Sequence, residues 1–276
     1  MPEQCREGDF SLTWTEVEKI LPACFGPAIK GSPTMMVDGK PALRVPDEGV
    51  HFLCTSSNQW RAVEGSATVL IDGMPAVRKG DQTLHCGGLG KMITGSSNCL
   101  IGGPSINILD QARENALEML ALMKEALERW NEEDQALFEQ WFGTVDEEFR
   151  QEMLDRVNNT IEAVENSSNE MFRLPAPDMD KAGLNAYVYG SRTENKEIYL
   201  GDNWFDGLSE DSTGGRNSRP ATLIHEFSHF DDIGDTKDHA YDDNTIDLGA
   251  TDPEKAQENA DSFENWGEDI YGQEYP

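Results

Sequence analysis

The apolar positions change period once along the chain. Up to residue 106 they come in runs of two to four, such as MMV at 35–37, ALRV at 42–45, VLI at 69–71 and AVRK at 76–79, separated by Gly, Pro and Asp-Gly. Short runs bounded by turn formers predict strands joined by tight turns. Beyond Pro104 the period lengthens. Ala116, Leu120, Met123, Leu127 and Trp130 are spaced four, three, four and three, which places them on one face of a long helix. A second helix is expected over 147–167, after a turn at Gly143. Residues 183–190 and 197–205 read as strands, and the Gly- and Ser-rich stretch 208–220 as a mobile loop. A last helix is expected over 252–270, capped by Thr251 or Asp252 with Pro253 in its first turn.

The strand-rich half contains a repeat. GSPTMMVDGKPALRVPDEGVH at 31–51 aligns without gaps on GSATVLIDGMPAVRKGDQTLH at 65–85, and GSSNCLIGG at 95–103 is a partial third copy. Units this short cannot each enclose a core, so they are expected to stack into one β body. The Gly-Ser starts and the Pro-Ala pairs at 41–42 and 75–76 resemble the PAAR-repeat proteins that cap the type VI secretion spike, over about residues 25–106. The resemblance implies an all-β conical domain at 1–106 that docks base-down on the trimeric spike protein VgrG. His51 and His85 lie in phase, with Cys54 and Cys86 close by. Two imidazoles and two thiolates suit a tetrahedral zinc, and members of the family carry a metal held by His and Cys at the tip. These four residues are candidate ligands of a structural zinc; the alternative is two surface histidines and two small buried cysteines.

Charge divides the chain at the same place. Of a formal net charge of -30, residues 1–106 carry -2 and the remainder -28. Such a surface argues against nucleic acid, whose phosphates need a basic partner. It suits solubility, or attraction of a cationic substrate. All five cysteines fall in the first hundred residues, so the acidic half is expected to hold itself together without disulfides. No apolar run approaches the length of a membrane span, and the first residues do not read as a signal peptide.

The acidic half holds His225-Glu226-Phe227-Ser228-His229, a HExxH motif. On a helix, positions i and i+4 share a face, so both imidazoles can reach one zinc with Glu226 beside it. The helix is expected to end at Gly234, after which the chain can turn back and offer Asp238 as third ligand, leaving a fourth position for water. His229 precedes Asp238 by nine residues, and Tyr241 follows three later. This pattern resembles the aspzincin metallopeptidases, the deuterolysin-like group, over about residues 125–268. The resemblance implies an α+β, mainly helical, zincin-like domain at 131–276, joined to the first by a linker helix at 107–130. It implies zinc on His225, His229 and Asp238, Glu226 as general base and Tyr241 as donor to the oxyanion. The long helix read from the apolar spacing at 107–130 either links the two halves or begins the second. In lysine-specific members, an Asp and a Glu three residues apart line the pocket for the residue after the scissile bond, and NADSFE supplies Asp261 and Glu264. Asp231, Asp232 and Asp235 read as solvated or as partners that orient a histidine.

Together the halves imply a multidomain type VI effector. A PAAR-like cap would ride a VgrG-like trimer from the bacterial cytoplasm into a target cell, carrying a zinc endopeptidase toxin that cuts before lysine in a protein or peptide and is restrained at home by an immunity protein. The alternatives are a hydrolase of peptidoglycan peptides and a structural tip with a degenerate peptidase.

Overall fold

A computed structural model describes all residues except 14–23, 53–57, 176–182, 214, 242–243 and 276. The chain forms two compact units. One comprises residues 1–111 with 169–184 and 199–206; the other comprises 112–168, 185–198 and 207–276. Among the described residues, no helix is long and apolar enough to cross a membrane.

The first unit is strand-rich. Phe25–Pro27, Phe10–Thr13, Gly88–Met92, Gln82–His85, Gln59–Ala62 and Glu48–Val50 pair antiparallel in that order. Two repeat hairpins stand as expected, Met36–Val37 on Lys40–Pro41 and Leu70–Ile71 on Met74–Pro75. Each turns through an Asp-Gly or an equivalent step with positive φ at Asp38-Gly39 and Asp72-Gly73, the left-handed conformations that a two-residue hairpin loop requires. The partial third copy is completed by the N-terminus, which the repeat alignment does not reveal. Leu100 bridges Glu3 as Met36 pairs with Pro41. The backbones of Cys5, Leu43 and Val77 then close a triangle. Cys5 N donates to Val77 O (2.9 Å), Leu43 N to Cys5 O (2.9 Å) and Val77 N to Leu43 O (3.0 Å). All three side chains are fully buried.

One ion pair repeats with this arrangement. Arg6–Asp9, Arg44–Asp47 and Arg78–Asp81 each join residues three apart, at 3.0, 3.1 and 3.0 Å. The aspartate also accepts the arginine's own backbone N–H, at 2.8, 2.8 and 2.7 Å. The segment 199–206 adds to this unit. The expected strand over 197–205 stops at Leu200, and Asp202–Asp206 forms a short helix. Its i, i+4 carboxylates face one way, and both hold the buried guanidinium of Arg61, each at 3.1 Å.

The second unit is mainly helical. Its helices are α1 (Ile108–Arg129, in this unit from Ala112), α2 (Glu132–Phe142), α3 (Glu147–Glu165), α5 (Arg219–Ser228), α6 (Asn244–Thr251), α7 (Pro253–Glu258) and α8 (Ala260–Glu274), with α4 the short helix of the first unit just described. Of the two readings of the helix at 107–130, as a linker or as the start of the second half, the structure agrees with the second from Ala112 onward. Ala116, Met119, Leu120, Met123 and Leu127 of α1 are fully buried, and a Cβ at Gly267 of α8 would meet the Met123 sulfur at 2.8 Å. An amphipathic stripe this apolar is stable only when it covers a core, and here that core is the helical unit's own. The turn at Gly143 is confirmed: its φ of 68° caps α2, and its N–H bonds Glu139 O. The expected helix over 252–270 is interrupted. Asp252 caps α7 with Pro253 in its first turn, but Asn259 is extended (φ -84°, ψ 122°) and starts α8 afresh.

Arg78 provides a direct check on the first unit. It is buried and holds Asp81, Gly103 O (2.9 Å), Gly65 O (3.2 Å) and Ser105 Oγ (2.7 Å). Arg78→Ala leaves a buried carboxylate unpaired and should cost about 3–5 kcal/mol, read as a lower denaturant midpoint of the full chain. Lys79→Ala, beside it but exposed, should stay near wild type.

Candidate metal centre and active site

Helix α5 is buried along its whole length. Its N-terminus is fixed first. Ser218 caps it, accepting Ala221 N at 3.3 Å, and buried Glu268 of α8 takes the Ser218 N–H (3.0 Å), the Asn217 N–H (3.1 Å) and the hydroxyls of Ser218 (2.8 Å) and Ser212 (3.0 Å). The stretch expected as a mobile loop is thus anchored at its end by a carboxylate that the sequence did not single out. Burial beside Glu264 pushes Glu268 up to about 7, against the pull of these donors.

At its other end α5 carries the HExxH residues. Regular helix ends at Ser228, sooner than the expected Gly234, yet His229 keeps helical angles (φ -71°, ψ -21°) as the C-cap. The i, i+4 relation therefore holds. His225 Nδ1 lies 2.9 Å from Glu264 Oε2, and His229 Nδ1 lies 3.0 Å from Thr236 O. A carboxylate and a carbonyl only accept, so both Nδ1 atoms donate. In the neutral rings this leaves the lone pair on Nε2. Both Nε2 atoms face one oxygen, Asp238 Oδ1, at 3.2 Å from His225 and 3.3 Å from His229. Two donors on one tetrahedral zinc stand about 3.3 Å apart, given bonds near 2.0–2.1 Å. The observed spacing and the donor set fit that ion.

Asp238 is placed by a clamp. Asn259 is fully buried. Its Oδ1 accepts His239 N (2.8 Å) and Ala240 N (3.1 Å), and its Nδ2 donates to Ala240 O (3.2 Å). The backbone on either side adds Lys237 N to Glu258 O (2.7 Å) and Ala260 N to Lys237 O (2.9 Å). These bonds use the groups freed where the helix breaks. Thr236 secures the other side of the loop, its N–H on Ser228 O (3.1 Å) and its hydroxyl against Ser228 Oγ (2.6 Å).

Burial and charge set the electrostatics of the site. Burial raises Asp238, but with His225 and His229 protonated at Nε2 their hydrogen bonds hold it well below the usual carboxylate range; in the neutral rings a metal would meet, those bonds are absent. Burial pushes Glu226 up to about 7 in spite of both histidines, and its Oε2 is buried without a hydrogen-bond partner among the described residues. Such an atom costs stability unless something comes to meet it. Tyr241 is half-exposed, its ring 6.4 Å from His225. Burial and the charge of Asp238 raise it, so it stays a phenol able to donate.

Asp261 and Glu264 come together beside His225: one donor atom from each of the three lies within 4.8 Å of the others. The neighbouring aspartates do not orient the histidines. Asp232 pairs with Lys196 (2.7 Å), Asp235 with Lys237, and Asp231 N donates to Gly190 O (3.2 Å). His239 lies 3.6 Å from Glu258.

In the first unit His85 and His51 meet, Nδ1 to Nε2, at 2.6 Å with rings nearly parallel. That is hydrogen-bond contact, closer than two ligands of one ion. His85 Nε2 is also engaged, 2.7 Å from Thr83 Oγ1. The third copy has Thr13 at this position, four residues after Asp9 as His51 follows Asp47. Cys86 joins no three-donor group among the described residues, and Cys54 lies outside them.

Comparison with known proteins places both halves. A PAAR motif matches residues 21–90 and 61–110. A peptidyl-Lys metalloendopeptidase of Grifola frondosa is 42% identical over 89 residues, 32% of this chain and 24% of the relative. One of Armillaria mellea is 41% identical over 85 residues, 30% of this chain and 22% of the relative. The chain thus spans about a quarter of these relatives. A solved zinc peptidase from Grifola frondosa aligns over 59% of this chain and 93% of its own, with 28% identity and a TM-score of 0.49. The model for the lysine-specific metallo-endopeptidases matches residues 128–268, just over half the chain, and with that match the chain belongs to the aspzincin family of lysine-specific metallo-endopeptidases.

Proposed function

We propose that the chain is a type VI secretion effector in which a PAAR-like cap carries a zinc-dependent endopeptidase that cuts on the N-terminal side of lysine. One observation carries the catalytic part. His225, His229 and Asp238 converge, and the residue after His225, Glu226, keeps a buried oxygen that no described residue meets. A degenerate peptidase would have no reason to keep that costly arrangement.

His225, His229 and Asp238 would hold zinc, which when bound acidifies a coordinated water and polarises the peptide carbonyl. Glu226 Oε2 would take the proton of the attacking water and return it to the leaving amine. Tyr241 would donate its hydroxyl to the oxyanion. Asp261 and Glu264 would receive the lysine side chain of the residue after the cut. Two close carboxylates in a narrow site suit a compact ammonium better than a planar guanidinium.

The first unit supports the docking part. Met36, Leu70 and Leu100 occupy the same position of the three copies and are 58%, 57% and 47% exposed. Three equivalent apolar side chains match a partner that is itself three-fold, as a VgrG-like spike is. Delivery into a target cell would require the producer to hold an immunity protein against its own toxin.

The zinc-loaded chain should cut a denatured protein mixture into peptides that begin with Lys and rarely with Arg, seen by mass spectrometry, and Asp261→Ala should erase the preference. Cleavage confined to purified peptidoglycan would favour the cell-wall substrate instead. Glu226→Ala should lower the rate by roughly 10²–10⁴-fold and retain zinc by elemental analysis. His229→Ala should lose both. Replacing Met36, Leu70 and Leu100 together by Asp should abolish co-purification with the spike trimer while peptidase activity persists. Retained co-purification would exclude this face.

A further inference from the structure

We propose that Glu264 is also the positioning residue of His225, so that one carboxylate serves the metal ligand and the lysine pocket together; the pocket half of this statement rests on the function proposed above. The two histidines are oriented by unlike partners. His229 donates Nδ1–H to a neutral backbone carbonyl, Thr236 O at 3.0 Å, fixed by the loop itself. His225 donates to a charged side chain on a different helix, Glu264 Oε2 at 2.9 Å. A charge-assisted bond is shorter and stronger than a neutral one, and a carboxylate behind an imidazole raises the basicity of the nitrogen in front.

Glu264 sits where it can do this because α5 and α8 pack face to face. Glu264 contacts His225, and one turn later Glu268 holds the cap of α5. Asp261, one turn earlier, also accepts within its own helix, from Asn265 Nδ2 at 2.7 Å. Both carboxylates lie beside His225, and the 2.9 Å hydrogen bond to its Nδ1 is that of Glu264. Its removal should disturb zinc and lysine recognition, whereas a change at Asp261 should disturb recognition alone.

The test measures zinc affinity by competition with a chelator, and in parallel the peptide ends released, for full-length Glu264→Ala, Glu264→Gln and Asp261→Asn. Glu264→Ala should weaken zinc by about 10–100-fold, the usual effect of removing such a partner. Glu264→Gln keeps a side-chain oxygen to accept Nδ1–H and should hold zinc within a few-fold of wild type. Asp261→Asn should match wild type in zinc. All three should lose the lysine preference. Melting of the metal-free proteins, followed by circular dichroism, verifies that each variant is folded. Unchanged zinc affinity in Glu264→Ala overturns the positioning role. So does a Gln variant as weak as Ala, or an Asp261→Asn variant weakened equally. If wild type shows no lysine preference while the zinc pattern holds, the pocket reading falls and the positioning role stands.

Discussion

The break in the helix at Asn259 is the constraint on which the active centre depends. An uninterrupted helix from Pro253 to Glu274 would keep the Glu258 carbonyl and the Ala260 N–H for itself. The extended residue frees both for Lys237, and the buried Asn259 amide holds His239 and Ala240. Each bond contributes on the order of 1 kcal/mol net, and together they order a loop that has little apolar side chain to bury. Asp238 lies inside the clamped segment, and its oxygen meets both Nε2 atoms because the loop has no freedom to place it elsewhere.

The second determinant is the pairing of α5 with α8. A helix buried on all sides must have its end groups and polar side chains met from neighbouring elements. Helix α8 provides this with Glu268 at the cap and Glu264 at the first histidine. The same acidic face that supports the scaffold thereby borders the chemistry. The density of carboxylates in this unit thus has a local use beyond solubility. In the strand-rich unit the corresponding constraint is the backbone triangle of Cys5, Leu43 and Val77, which joins the chain's beginning to its repeats.

Much of this was legible in the sequence, for identifiable reasons. HExxH and Asp238 were readable because their spacing follows from a helix and a short return loop, whereas Tyr241 came from the family resemblance alone. The two full repeats were readable because their turns fall in register. The third was read as partial because its completing residues, Cys5-Arg6-Glu7-Gly8-Asp9, precede the first copy, although they share the R-x-x-D spacing of Arg44–Asp47 and Arg78–Asp81. Helix α1 was left between a linker and the start of the second half, since a stripe of apolar residues does not say which core it covers. Asn259, Glu264 as a histidine partner, and Glu268 act through contacts distant in sequence. A uniformly acidic segment gave no local sign of which carboxylates would be buried.

Anomalous diffraction at the zinc edge from crystals of the zinc-loaded chain tests the central claim most directly. The account predicts a peak enclosed by His225, His229 and Asp238, with Glu226 beside it and not bound to it. Zinc found only elsewhere, or Glu226 among its ligands with Asp238 turned away, would contradict it.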